Sequence, residues 1–202
     1  MKKILIATTN PAKIIEYEEI FKQLKLPVSL VSLKDLNIKN KVEEDGKTFE
    51  ENAIKKADFY SKLSNLPTLS DDGGLEIDYL NGEPGIRSRR WPGHEASDEE
   101  LIELALKKME GVPKNKRTAR FRIIVALSIP DNKTFTFEDG LKGIIMEKAL
   151  PKRMPGYPFR AIFYLPEIKK IFGELTLEEE VKIGHRKRAV EKALPVIREY
   201  LC

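Results

Sequence analysis

The sequence predicts an α/β fold on a mixed sheet. Short, β-branched apolar runs alternate with stretches of helical period through the first half of the chain. Three Ser/Thr-x-x-Glu spacings, at Thr48–Glu51, Ser97–Glu100 and Thr176–Glu179, mark helix starts. A long alternating stretch, a turn and a second alternating stretch add a hairpin.

Residues 3–8 (KILIAT) read as a buried strand. Asn10 is a natural N-cap and Pro11 suits the first helical position, so a helix follows to about Lys25. Its apolar residues Ile14, Ile15, Tyr17, Ile20, Phe21 and Leu24 recur near helical period. Residues 28–33 form the next strand. A second helix spans about Phe49 to Leu63, with Phe49, Ala53, Ala57 and Tyr60 on one face. Leu66 to Ser70 is a short buried strand, and Leu75 to Leu80 a further strand or extended segment ending at Asn81-Gly82. A third helix occupies 98–109. Residues 117–129 make a long strand, Asp131-Asn132 a turn, and 134–146 the partner strand. Residues 161–165 (AIFYL) are another buried strand. A short helix follows Thr176. The last helix, 186–200, carries Val190, Leu194, Ile197 and Leu201 on one stripe, and Pro195 should kink or weaken it.

Composition excludes several classes. A hydrophobic content of 41% in 202 residues is enough for a sizeable core and too much for a disordered chain. No apolar run approaches the roughly 20 residues a membrane span needs. The apolar stretch Ile4 to Ala7 is too short for a signal peptide. Cys202 is the only cysteine, so neither an internal disulfide nor a cysteine zinc cluster forms, and a cytoplasmic location is expected. Without repeats, low-complexity tracts or Gly/Ser linkers, residues 1–202 read as one continuous domain. The 36 Lys+Arg and 32 Asp+Glu leave a net charge of +4, compatible with nucleic acid, a polyanionic small molecule or merely a Lys/Glu-rich surface. The basic clusters are short and their flanks acidic, which disfavours nucleic acid.

Three groups of residues suit chemistry. The strand–loop–helix Ala7 to Lys13 offers free helix N–H groups, the side chains of Thr8, Thr9 and Asn10, and the Lys13 ammonium, a combination suited to phosphate. It lacks the glycines of a P-loop, and an ordinary capped helix would look the same. Acidic residues cluster at Glu43, Glu44 and Asp45 and at Asp71 and Asp72. Such groups hold hard cations such as Mg²⁺, although a solvated acidic turn is the plainer alternative. Asp71 and Asp72 are adjacent, so on an extended chain only one faces a given metal. Arg87, Arg89 and Arg90 beside Trp91, and His185 to Arg188 at the start of the last helix, form the basic group, able to grip phosphate or lie on a solvated face. Together the three groups suit a metal–polyphosphate and hydrolysis of its anhydride.

These residues also resemble a known family, the inosine triphosphate pyrophosphatases. The resemblance covers nearly all of the chain: Thr8-x-Asn10-x-x-Lys13, EEDGKTFEENAIKKA from Glu43, SDDGGLEIDYLNGEPGIRSRRWPG from Ser70, the strand around Ile162 to Tyr164, ELTLEEE, and GHRKRA. It implies a long twisted mixed β-sheet flanked by helices, with two lobes and a nucleotide cleft between them. It implies Mg²⁺-dependent hydrolysis of ITP, dITP and XTP to monophosphate and pyrophosphate by a homodimer. By position, Thr8, Thr9, Asn10, Pro11, Ala12 and Lys13 would bind the triphosphate. Glu43 and Asp72 would serve the metal, with Asp72 also the general base and Lys13 catalytic. Gly73, Arg90, Tyr157, Phe159, Arg160, His185 and Arg186 would contact the nucleotide. Four positions depart from the family pattern. Gly73 and Gly184 replace serines. Arg160 stands for an aspartate in a Gly-Phe-Gly-Tyr-Asp-Pro loop, and Glu180 for a lysine. The metal half is kept and the base-reading half altered, so a nucleotide-binding homologue with changed base specificity or lost turnover is the alternative.

Overall fold

The computed structural model describes every residue except Met1, Asn132 and Cys202. Its elements run β1 (Lys2–Ile6), α1 (Pro11–Gln23), β2 (Val28–Ser32), α2 (Phe49–Ser64), β3 (Thr68–Ile77), α3 (Asp98–Lys108), β4 (Thr118–Ser128), β5 (Thr134–Ile145), β6 (Phe163–Leu165), β7 (Lys170–Ile171), α4 (Leu177–Ile183) and α5 (His185–Leu201). The seven strands hydrogen-bond in the order β2-β1-β3-β4-β5-β6-β7. β1 is parallel to β2 and β3, while β6 is antiparallel to β5 and β7, so the sheet is mixed as expected.

The chain divides into two compact units. The first holds residues through Asp72, Ile123–Asp139 and those from Val181 onward; the second holds Gly73–Arg122 and Gly140–Glu180. β3, β4 and β5 each begin in one unit and end in the other.

In the first unit, β1 shows how the period of two sorts the core. Ile4 and Ile6 pack with Tyr17, Ile20 and Phe21 of α1 and with Val190, Ala193 and Ile197 of α5. Leu5 and Ala7 pack with Tyr60 of α2 and with Leu33. Asn10 caps α1 by accepting from the Ala12 N–H at 3.0 Å, and Thr48 caps α2 by accepting from the Glu51 N–H at 3.1 Å. In the second unit, Ser97 and Glu100 cap α3 reciprocally. The expected box at α4 also forms, with Thr176 and Glu179 exchanging bonds of 3.0 and 3.2 Å.

Several expectations are corrected. The strands expected at 66–70 and 75–80 are replaced by one ten-residue strand, Thr68–Ile77, which runs through Gly73-Gly74. Leu80 lies in a 3-10 turn that ends at left-handed Asn81. Residues 158–162, in part expected as strand, form a 3-10 turn, and β6 begins only at Phe163. Pro195 lies inside α5, exposed, as the expected position in the last helix requires. Its buried stripe is Val190, Ala193, Ile197 and Leu201; Leu194 lies beside it, partly exposed. Ile15 is exposed, off the buried face of α1. Asp131 adopts the positive φ of a turn (56°), while Asn132 and Cys202 lie outside the described residues.

Candidate active site

The first unit gathers charge where α1, α2, β3 and α5 meet. Lys13, in the first turn of α1, donates to Asp71 Oδ1 at 3.0 Å. Arg186, in the first turn of α5, donates to Asp71 Oδ2 through Nε at 3.0 Å and Nη2 at 2.8 Å. Its Nη1 donates to Glu16, and Tyr17 lies beside its guanidinium. Glu16, Asp71 and Arg186 are all buried. Burial pushes the Asp71 carboxyl up, but Lys13, Arg186 and Lys56 together outweigh it and hold Asp71 well below the usual carboxylate range. A cation at a helix start opposes the dipole; Asp71 and Glu16 answer that charge within the protein.

Asp72 follows Asp71 on an extended strand and meets a different set of partners, as the period of two requires. It accepts from Asn52 Nδ2 of α2 at 3.0 Å. Asn52 in turn accepts from the Gly46 N–H at 2.8 Å, which ties the acidic loop to α2. One turn further along α2, Lys56 donates to Glu44 at 2.8 Å. Burial raises the Asp72 carboxyl, and Glu44 adds to this; Lys56, Lys13 and Asn52 offset only part. Burial alone would lower the Lys56 ammonium, yet Asp72, Glu44 and Asp71 together raise it. A carboxylate held above its ordinary value, with two lysines in its field, is arranged to accept a proton beside an anion.

The expected residues fall out unevenly. Lys13, Asp72 and Arg186 join this cluster. Thr8 is partly exposed and accepts from the Asn10 N–H at 3.2 Å; Thr9 and Pro11 are exposed and Ala12 partly so. Glu43 is exposed, and the neighbouring Glu44 is the carboxylate in the field of Asp72. His185 is buried at the start of α5. In the second unit, Gly73 lies within β3 and Arg90 is exposed on a 3-10 turn. Tyr157, Phe159 and Arg160 share the turn before β6, where Phe159 packs edge-on against Trp91, with ring centres 6.2 Å apart. Trp91, considered above with the arginines, donates to Glu83 at 3.0 Å, with Lys108 over its ring.

Glu16 lies outside the quoted motifs, and Asn52 and Lys56 lie within the one from Glu43 without standing out in it. Their signal is spacing: Lys13 and Glu16 lie one turn apart on α1, and Asn52 and Lys56 one turn apart on α2 beside the apolar residues Phe49, Ala53 and Ala57.

The sequence profile of the Ham1 family matches residues 4–196. The chain belongs to the Ham1 family. Among curated Ham1 relatives, the dITP/XTP pyrophosphatase of Bacillus subtilis is 41% identical over 192 residues, 95% of each chain. That of Geobacter sulfurreducens is 40% identical over 190 residues, 94% of each chain. The solved Ham1 protein of Staphylococcus aureus superposes with a TM-score of 0.82 at 34% identity, over 98% of this chain and 99% of that one. The α/β architecture is therefore that of Ham1 structures.

Proposed function

We propose that this Ham1 protein hydrolyses deaminated purine nucleoside triphosphates, dITP, ITP and XTP, to the monophosphate and pyrophosphate. The observation that carries the proposal is the convergence of Asp72, Asn52, Lys56 and Glu44, with Lys13 in the field of Asp72. The names of relatives matched over nearly the full chain supply the substrate class.

Asp72 takes the proton of the water that attacks the α-phosphorus. Asn52 Nδ2 donates to its carboxylate and so fixes it for that role. Lys13 and Lys56 stabilise the charge that grows on the departing pyrophosphate. The positive end of the α1 dipole orients the triphosphate, with Thr8, Thr9 and Asn10 beside it. Arg186, held by Asp71 and Glu16, and His185 next to it serve nucleotide positioning.

The donor set fits Mg²⁺. Asp72 and the Glu43–Glu44 loop offer hard carboxylate oxygens. Among the described residues, no group of three or more His, Cys, Asp or Glu side chains could hold a metal. One or two carboxylates completed by substrate phosphates is the usual manner of Mg²⁺ binding. When bound, the ion would neutralise phosphate charge. A cytoplasmic location and a homodimer complete the proposal. The test is pyrophosphate release from all common and deaminated triphosphates, with and without Mg²⁺. Release from XTP, ITP and dITP above the common four, lost without Mg²⁺, is the expected result. Equal rates on ATP and GTP would overturn the substrate assignment.

A further inference from the structure

Four consecutive residues of the acidic loop dock on α2 in reverse order. Glu44 meets Lys56, Asp45 meets Lys55, the Gly46 N–H meets Asn52 Oδ1 at 2.8 Å, and the Lys47 N–H meets Glu51 at 2.6 Å. This segment has no strand or helix of its own, so these contacts are what seat it. At its centre the backbone comes too close for any side chain. A Cβ on Gly46 would fall 2.6 Å from Asn52 Oδ1, 2.9 Å from the Glu51 Cβ and 3.1 Å from the Asn52 nitrogen. Gly46 does not adopt a positive φ, so space, not backbone conformation, requires a glycine there.

Asn52 is buried and spans two partners: it accepts from the Gly46 N–H and donates from Nδ2 to Asp72 Oδ2 at 3.0 Å. The two ends of an amide are not interchangeable, since its oxygen only accepts and its nitrogen only donates. Turned over, the amide would set its oxygen against the Asp72 carboxylate and its NH₂ against a backbone donor, two buried mismatches. We propose that Gly46 is a positioning residue for Asp72, its N–H holding the Asn52 amide in the one orientation that donates to the carboxylate. This rests on the function proposed above, in which Asp72 takes the proton of the attacking water. The loop and the base are then one mechanical unit, because the seat of 44–47 on α2 decides whether Asp72 is aligned. An Asn52 amide released from Gly46 samples both orientations, and in one of them it repels Asp72. Misalignment at the reacting atoms slows the chemical step, while Lys13 and the start of α1 still bind the triphosphate.

The test is a cycle of Gly46→Ala, Asn52→Ala and the double variant, read by kinetics and by amide hydrogen exchange of the nucleotide-free protein. Gly46→Ala lowers kcat for pyrophosphate release from XTP by about tenfold or more and changes KM by less than about threefold. Its Lys47 N–H exchanges at least about tenfold faster than in wild type, because the segment no longer seats on Glu51. Asn52→Ala lowers kcat at least as far. The double variant falls no further than Asn52→Ala alone, as it must if Gly46 acts through Asn52. Losses that multiply in the double variant overturn the relay, and so does a Gly46→Ala enzyme with wild-type kcat. If Gly46→Ala does not fold, the exposed Glu51 gives a second route, since Glu51→Ala frees the Lys47 N–H and loosens the same seat. That variant loses kcat by about threefold, and the loss vanishes in the Asn52→Ala background. Faster exchange at Gly46 with unchanged kcat overturns the relay. A wild type inactive on every triphosphate defeats the proposed hydrolysis and with it the role of Asp72. Faster exchange at Gly46 in Asn52→Ala would then still establish the contact that orients the amide.

Discussion

The charged centre of the first unit is partly open to solvent and the ion pair of the second is buried, and the two balance charge differently. In the first, Lys13, Lys56 and Arg186 face Asp71, Asp72, Glu16 and Glu44, one anion more than cations. The excess is unevenly shared: Asp71 is pressed far down and Asp72 pushed up. In the second, Arg160 and Glu180 pair one to one between aromatic rings. A cluster with one carboxylate in excess has a use for an arriving cation, which can in turn bring a phosphate. A buried ion pair compensates its own charges, and its part is to hold shape and polarity. Neighbouring aspartates on one strand differ so sharply because the period of two hands them to different helices, Asp71 to α1 and α5, Asp72 to α2.

The largest expected effect tests whether chemistry belongs to the first centre. Asp72→Asn should lower kcat for pyrophosphate release by about 10²- to 10⁴-fold, the usual worth of a general base. Its thermal midpoint should hold or rise, since a carboxylate that burial disfavours has been removed. Rates near wild type would shift the proton acceptor elsewhere. Lys56→Met comes next: it strips compensation from Asp72 and Glu44 and should cost about tenfold or more in the same assay.

Stability separates the centres from another side. Arg186→Met leaves Asp71 and Glu16 buried without their guanidinium, at a cost of about 3–5 kcal/mol in denaturant unfolding. Adding Asp71→Asn to that variant should recover part of the loss. No recovery would mean that packing against Tyr17, not charge, holds Arg186. The pH dependence has a definite sign. The Asp71 carboxyl is depressed in the folded protein, so it stabilises the fold at pH values above the ordinary carboxylate range. That contribution disappears as pH falls through and below that range. Thermal midpoints measured from pH 6 downward should fall less steeply in Asp71→Asn than in wild type. Parallel curves would show that Asp71 is not held down.

Much of this was legible in the chain. Helix starts were, because Asn10, Thr48, Ser97 and Thr176 announce caps through local hydrogen bonds. The opposed faces of Asp71 and Asp72 were, because a strand's alternation is fixed geometry. The continuity of β3 was not, since Gly73-Gly74 carries no side-chain pattern and only pairing with its neighbours keeps it in the ladder. The two-residue β7 is too short to show a period. In the site, Lys13 stood out beside a capped helix start. Glu16 and Lys56 did not, because a charged residue on a buried helix face resembles a solvated one until its partner arrives from a distant segment. Arg160 and Glu180 each stood out as a departure, but the ion pair between them is visible only in the structure.

The smallest effect sharpens the contrast at the edge of the second centre. Ser97 caps α3, and Asp98 beside it accepts from the Gly156 N–H at 2.7 Å and pairs with Arg89 at 2.6 Å. The α3 start thus anchors the chain just before the turn that carries Tyr157 and Arg160. Ser97→Ala removes one cap bond and should cost about 1 kcal/mol, or about 2–4 °C in thermal midpoint. If the second centre acts through shape, loosening its anchor should raise KM for XTP slightly, by less than about threefold, and leave kcat untouched. The first centre lies on other helices, so its proton transfer should not sense the change. A fall in kcat matching that of Lys56→Met would instead mean that α3 supports the chemical step, and the division of labour between the two centres would have to be redrawn.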